Sequence, residues 1–295
     1  MSTLADTLNA RDIAQLVERA VSCIACELRP DALLALEEAA GCETGARGWV
    51  VMGQLLENAQ VAAAQQVPLC QDTGSVWVLL EVGERDAAGN QIAISTNIFS
   101  LVDEAVANAF ERGALRKSLV RDALIDRTNT GTNAPAFCEM YLNPNITGAT
   151  LHIMLKGGGS DNASKLAMLA PGAGIEGVCD VVLDAVREKG ASACPPLVVG
   201  VGVGATFDKV GSLAKRALLR SVGTANPQPQ LATLEQELLA RINSLGIGPG
   251  GFGGDATALA VHILTAPCHI AALPVAVNIG CNAMRSISID LEDVQ

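Results

Sequence analysis

The stretch 256–284 contains no Asp, Glu, Lys or Arg. It is long enough to cross a bilayer, yet it carries Pro267, Pro274, His262, His269, Cys268, Cys281 and Asn278. Two prolines and several polar side chains suit a lipid-facing helix poorly. The stretch therefore reads as two buried strands, 259–265 and 275–279, joined by a turn, with no membrane span. Such strands need a large apolar core. With 49% hydrophobic and 17% charged residues in 295 positions, the chain has the material for one and too little charge for disorder. That length allows two domains or one large one.

Upstream, the pattern changes twice. Asn9 can cap a helix whose apolar positions Ile13, Leu16, Val17, Ala20, Val21 and Ile24 form one stripe. Pro30 can open a second helix and Gly41 can end it. A third is expected over 46–66 with Val50, Val51, Leu55, Leu56 and Ala59 inward. From 75 onward β-rich runs alternate with helical ones: strands at 75–82, 139–142, 150–155, 197–203 and 286–289, and helices at 98–112, 175–189, 209–220 and 231–245. The fold class expected is α/β, a helical N-terminal third packed on a mixed β-sheet with flanking helices. It reads as one domain over 1–295, with a helical part at 1–66 and an α/β part at 67–295.

Twenty Lys plus Arg against 31 Asp plus Glu give a net charge of -11. A nucleic-acid protein needs a basic face, and 3% aromatics leave no stacking platform for single strands. The first residues lack a basic region followed by an apolar run, so the chain reads as cytoplasmic, with its nine cysteines as free thiols.

Three of these cysteines stand where elements end beside Gly or Pro: Cys70 in PLCQDTG, Cys194 in ACPPLVVGVGVG and Cys281 in PVAVNIGCNAMR. Three thiolates can hold an iron–sulfur cluster with one iron open as a Lewis acid. Taken singly, each reads better as a small buried hydrophobe. Cys23 and Cys26 form a C-x-x-C inside an amphipathic helix, better read as packing than as a redox pair. Arg116, Lys117, Arg121 and Arg127 lie in LRKSLVRDALIDR, where an arginine fork can take a carboxylate or the run can be a solvated face. The amides of KGGGS (156–160) can form an anion nest or a plain turn, and the Gly-rich run 246–254 can hold amides open for an anion. His152 and His262 sit inside apolar strands and read as core. His269 lies in a Pro-flanked turn better placed for proton transfer. GVGVGA (200–205) follows a strand as a dinucleotide fingerprint does, but no ribose-binding acid follows it.

Taken together, PLCQDTG, LRKS with NTGTNAP, KGGGSDN, CPPLVVGVGVG and HIAALPVAVNIGC resemble the α-type domain of the class I iron–sulfur hydro-lyases. These are the oxygen-sensitive fumarases and L(+)-tartrate dehydratases. The resemblance spans about residues 10–290. It implies a [4Fe–4S] cluster with one open iron on Cys70, Cys194 and Cys281. It further implies Gln71, Asp72, Arg116, Gly158 and His269 as substrate contacts, with Asp72 also handling the proton of the substrate hydroxyl. The residue before His269 is Cys268, where the family leads one to expect Thr. A β-type subunit would bring the general base and complete the site, in an (αβ)₂ heterotetramer acting on a small dicarboxylate. Fumarate hydration to malate is the leading reading, with L(+)-tartrate or mesaconate as alternatives and a non-catalytic iron–sulfur electron carrier as the alternative of another class.

Overall fold

The computed structural model describes residues 9–291. In chain order its elements begin with α1 (Ala10–Cys26), α2 (Pro30–Cys42), α3 (Ala46–Gln65), β1 (Ser75–Val82) and α4 (Val102–Arg112). Then come β2 (Phe137–Leu142), β3 (Ala149–Lys156), the four-residue α5 (Gly158–Asp161), β4 (Lys165–Leu169) and α6 (Gly174–Lys189). The last are β5 (Leu197–Ala205), α7 (Phe207–Ala217), α8 (Pro229–Asn243), β6 (Ala258–Cys268), β7 (Leu273–Gly280) and β8 (Arg285–Asp290). The mixed α/β class follows the sequence expectation, and the strands divide into two four-stranded sheets. No helix among the described residues is long and apolar enough to cross a membrane. The charge-free stretch is β6 and β7.

The chain forms two compact units. Unit 1 holds the described residues up to Glu27, Ala62–Gly157 and those from Arg285 onward. Its sheet has the order β2-β1-β3-β8, with β1 and β2 parallel and the other pairs antiparallel. Strand periodicity sets its core: Val76, Val78, Leu80 and Val82 of β1 and Leu151, Ile153 and Leu155 of β3 share one face. α1 and α4 cover that face with Ile13, Val17, Val21, Val102 and Val106. The Asn9 side chain caps α1 by accepting the Arg11 and Asp12 amides at 2.9 and 3.1 Å.

Unit 2 holds Leu28–Val61 and Gly158–Met284. Its sheet has the order β4-β7-β5-β6, with β5 and β6 parallel. Val182 and Val186 of α6 and Leu238 and Ile242 of α8 pack with Val199, Val201, Ile263 and Val277. α7 lies directly on β5. A Cβ at Gly200 would stand 2.3 Å from the Ala214 carbonyl oxygen, and one at Gly202 2.6 Å from that of Val210. These glycines sit inside the strand and admit a helix, which removes the dinucleotide-fingerprint reading.

Local departures from the sequence reading have simple causes. Helix α4 starts at Val102 rather than 98, because 98–101 are turns. α2 runs through Gly41 to Cys42. Val50 is half exposed, and the buried side of α3 is Met52, Ala59 and Ala62. Of the expected inward set Ala59 is buried, and Val51, Leu55 and Leu56 are half-buried.

Candidate functional site

In unit 1 the segment leading to β1 is fixed at both ends. The Leu69 amide donates to the Ala25 carbonyl at 2.9 Å. Gly74, at φ +81°, lies so close to the end of β3 that a Cβ would stand 2.3 Å from the Lys156 carbonyl oxygen. Cys70, Gln71 and Asp72 are carried between these two anchors, with Gln71 exposed and Cys70 and Asp72 half-buried. Asn133 brings in the basic loop. Fully buried, it accepts the Ser118 and Leu119 amides on Oδ1 at 2.7 and 3.2 Å and donates Nδ2 to the Gly74 carbonyl at 2.9 Å. The segment just after exposed Arg116 is thereby tied to the strand end that carries Asp72. Gly157 closes the group: a Cβ there would stand 3.3 Å from Asp72 Oδ2 and 3.5 Å from Arg285 Nη2.

Unit 2 gathers a second set at one end of its own sheet. Cys194 has φ +56°, in the left-handed region. Cys281 follows β7, and the register Val198↔Gly280 sets the start of β5 beside the end of β7. Asn282 joins the two cysteines: its backbone N–H and its Nδ2 both donate to the Cys194 carbonyl, at 3.0 and 2.8 Å. Gly158 opens α5, and a Cβ at the adjoining Gly159 would stand 3.2 Å from the Ser192 carbonyl oxygen. Gly158, Cys194 and Cys281 therefore share a region. His269 does not join them. It lies in the turn between β6 and β7, exposed, its Nδ1 accepting the Ala271 amide at 3.1 Å. The eight residues of β7 separate that turn from Cys281, a span of roughly 25 Å. Exposed Cys268 donates weakly to the Ala272 carbonyl at 3.3 Å.

The other candidate groups are absorbed by structure. Burial pushes the Cys138 thiol up to about 12, with the Asp103 carboxylate adding to it. Cys26 is buried as the packing reading expects, but Cys23 is exposed; partial desolvation, then Glu27, raises both thiols, so neither is poised as a thiolate. Burial pulls His262 down to about 4, assisted by the Arg220 charge. His152 lies between Ser288 Oγ at 2.8 Å and Glu81 Oε2 at 3.3 Å. The Gly-rich run does present amides to an anion, and that anion is the chain's own. Buried Glu43 accepts the Gly45 amide at 2.9 Å, the Asp255 amide at 2.9 and 3.0 Å, and the Ala256 amide at 3.0 Å.

None of the nine cysteines is in a disulfide. Among the described residues no three His, Cys, Asp or Glu side chains close on one point as ligands of a single ion do. The thiols of Cys194 and Cys281, paired at element ends by Asn282, fit in donor type a group that spreads its ligands wider, as an iron–sulfur cluster does. The sequence reading passed over two polar residues here. Asn133 lay within a quoted motif without a role. Arg285 is the first charged residue after the charge-free stretch, a signal that was available.

A sequence profile of the fumarate hydratase (Fumerase) family matches residues 14–290. The chain is 40% identical over 270 residues to a Methanocaldococcus jannaschii protein provisionally named L(+)-tartrate dehydratase subunit alpha, covering 89% of this chain and 93% of that one. It is 30% identical over 276 residues to L(+)-tartrate dehydratase subunit alpha of Escherichia coli K12, covering 92% and 88%.

Proposed function

The chain belongs to the fumarate hydratase (Fumerase) family of hydro-lyases, and we propose that it is the α subunit of a two-chain [4Fe–4S] enzyme that adds or removes water at a four-carbon dicarboxylate. The observation that carries the proposal is the gathering of Asp72, Gly157 and the Arg116 loop at one strand end. The Asn282 link between Cys194 and Cys281 supports it. Cys70, Cys194 and Cys281 are the proposed ligands. When bound, the cluster supplies a Lewis-acidic iron for the hydroxyl that leaves as water.

The chain's own residues do the rest. Arg116, exposed on its anchored loop, can fork onto one substrate carboxylate. The Gly158 amide and the Gln71 side chain offer uncharged donors that orient the substrate without competing for its charge. The Asp72 carboxylate can give and take the proton of the departing or attacking hydroxyl. Arg116 also supplies local positive charge in an acidic chain, which a dianionic substrate requires. No residue of this chain is assigned as the base that removes the carbon-bound proton; we assign that role to a β-type partner subunit. His269 lies at the far end of the unit 2 sheet from Cys281, so a contact to the same substrate is not part of the proposal.

Fumarate with malate and L(+)-tartrate are supported equally, the first by the family description and the second by the names of the relatives. Malate loses water to give fumarate, and tartrate loses it to give an enol that becomes a 2-oxo acid. The test is turnover of both by the anaerobically purified α–β pair. Release of fumarate from malate, or of the 2-oxo acid from tartrate, supports the proposal and ranks the substrates by kcat/KM. No water elimination from either, by a pair carrying a full cluster, contradicts it.

A further inference from the structure

Arg285 is an arginine in a costly place. It opens β8 opposite Leu155, on the sheet face that carries the apolar core of unit 1, and it is 2% exposed. Its Nε and Nη1 are sealed from solvent without a hydrogen-bond partner. It makes no ion pair among the described residues. A guanidinium keeps its charge at any working pH, and a buried charge without a counter-charge is strongly unfavourable. Such a side chain needs a reason to be there.

The reason lies across Gly157. The order β1-β3-β8 places the end of β3 between the start of β1 and the start of β8. Gly157 follows that end. The point where its Cβ would stand is 3.3 Å from Asp72 Oδ2 and 3.5 Å from Arg285 Nη2. Carboxylate and guanidinium therefore both border the space that any larger residue at 157 would fill. We propose that Arg285 is a positioning residue that fixes the direction of the Asp72 carboxylate through the opening at Gly157. Its stem runs in the core, so the charge is held on a rigid support, as precise placement of a reacting group requires. Arg116, exposed and anchored only through its loop, is free for substrate, while Arg285 acts from behind. The functional weight of this inference rests on the reading of Asp72 as the group that handles the hydroxyl proton; the physical coupling does not.

The test has two arms. In the full chain with ¹³C-labelled aspartate carboxyls, the Asp72 resonance is identified by its loss in Asp72→Asn and followed in Arg285→Lys and Arg285→Met. It moves in both, further in Met, while the resonance of Asp86, held by Asn90, stays in place. Should Arg285→Met fail to fold, Arg285→Lys alone decides. An Asp72 resonance unmoved in a folded variant overturns the proposal.

In the α–β enzyme, Arg285→Met lowers kcat about 10- to 100-fold with KM changed less than about 3-fold. Arg285→Lys restores much of the loss, and Arg285→Met adds nothing to Asp72→Asn. An equal loss in the Asp72→Asn background overturns the positioning role. Full activity of Asp72→Asn alone would sink the reading of Asp72 instead, and leave the resonance arm to decide the coupling.

Discussion

Removing the Glu43 carboxylate should open the Gly-rich loop locally, and by an amount the structure sets. Glu43 receives the amides of Gly45, Asp255 and Ala256 at 2.9–3.0 Å, and it stands in a pocket of glycines: a Cβ at Gly254 would lie 2.5 Å from its Oε1. Hydrogen bonds to a charged acceptor are worth about 1.5–3 kcal/mol each. In Glu43→Ala the exposed Asp255 amide and the half-buried Gly45 amide can regain water, while the Ala256 amide is buried and cannot. The expected cost is about 3–5 kcal/mol. The local assay is amide hydrogen exchange at 45, 255 and 256. A loss near 3 kcal/mol speeds exchange there by about 100-fold, with α1 and β3 of unit 1 unchanged. Glu43→Gln keeps one acceptor oxygen and turns an NH₂ toward an amide, so it should fall between. Unchanged exchange at those three amides in Glu43→Ala would mean that the carboxylate does not hold the loop, and would return the loop to the pool of external anion sites.

Other expectations follow from the same kind of geometry. His262 is neutral in the fold and titrates near 4, against 6.5 when unfolded; the unfolded chain takes up the extra proton between those values. The stability it contributes is therefore present above pH 6.5 and lost as pH falls toward 4, by about 3 kcal/mol. His262→Leu should narrow the acid-side decline by that amount in urea titrations run from pH 7 to pH 4, and identical declines would contradict it. Gly200→Ala should cost about 3 kcal/mol, because its methyl meets the Ala214 carbonyl at 2.3 Å, and neither the variant nor the parent should quench NADH fluorescence. Asn133→Ala strips acceptors from the Ser118 and Leu119 amides; their exchange should quicken, and the KM for dicarboxylate in the α–β enzyme should rise about 10-fold. A rise in neither would separate the loop from binding.

Much of the fold could be read from single residues. Asn9 with its following stripe marks α1, and Pro30 marks the start of α2. The runs at 75–82 and 197–203 mark β1 and the greater part of β5. β4 escaped because five residues, alternately half-buried and exposed, make a weak signal between Gly- and Pro-rich turns. Strand order was out of reach, since pairings such as Leu155 with Arg285 join residues far apart in sequence. The site was legible only as element ends next to glycine or proline. Which ends share a corner depends on register: Val198 opposite Gly280 brings Cys194 and Cys281 together, and the same antiparallel run sends His269 away. The roles of the polar residues that support the site were illegible for another reason, although the position of Arg285 was marked. Asn133 and Arg285 act through a backbone carbonyl and across a bare glycine, and neither relation leaves a spacing pattern.

Metal analysis shows whether Cys70, Cys194 and Cys281 hold the cluster. The full chain is reconstituted anaerobically beside Cys70→Ala, Cys194→Ala and Cys281→Ala, and iron and sulfide are counted with and without fumarate or tartrate in the spectrum. About four irons per wild-type chain are expected, lost in each variant, with a wild-type spectrum that changes on adding substrate. A cluster that survives all three substitutions, or a wild-type chain that takes up no iron, would contradict that assignment.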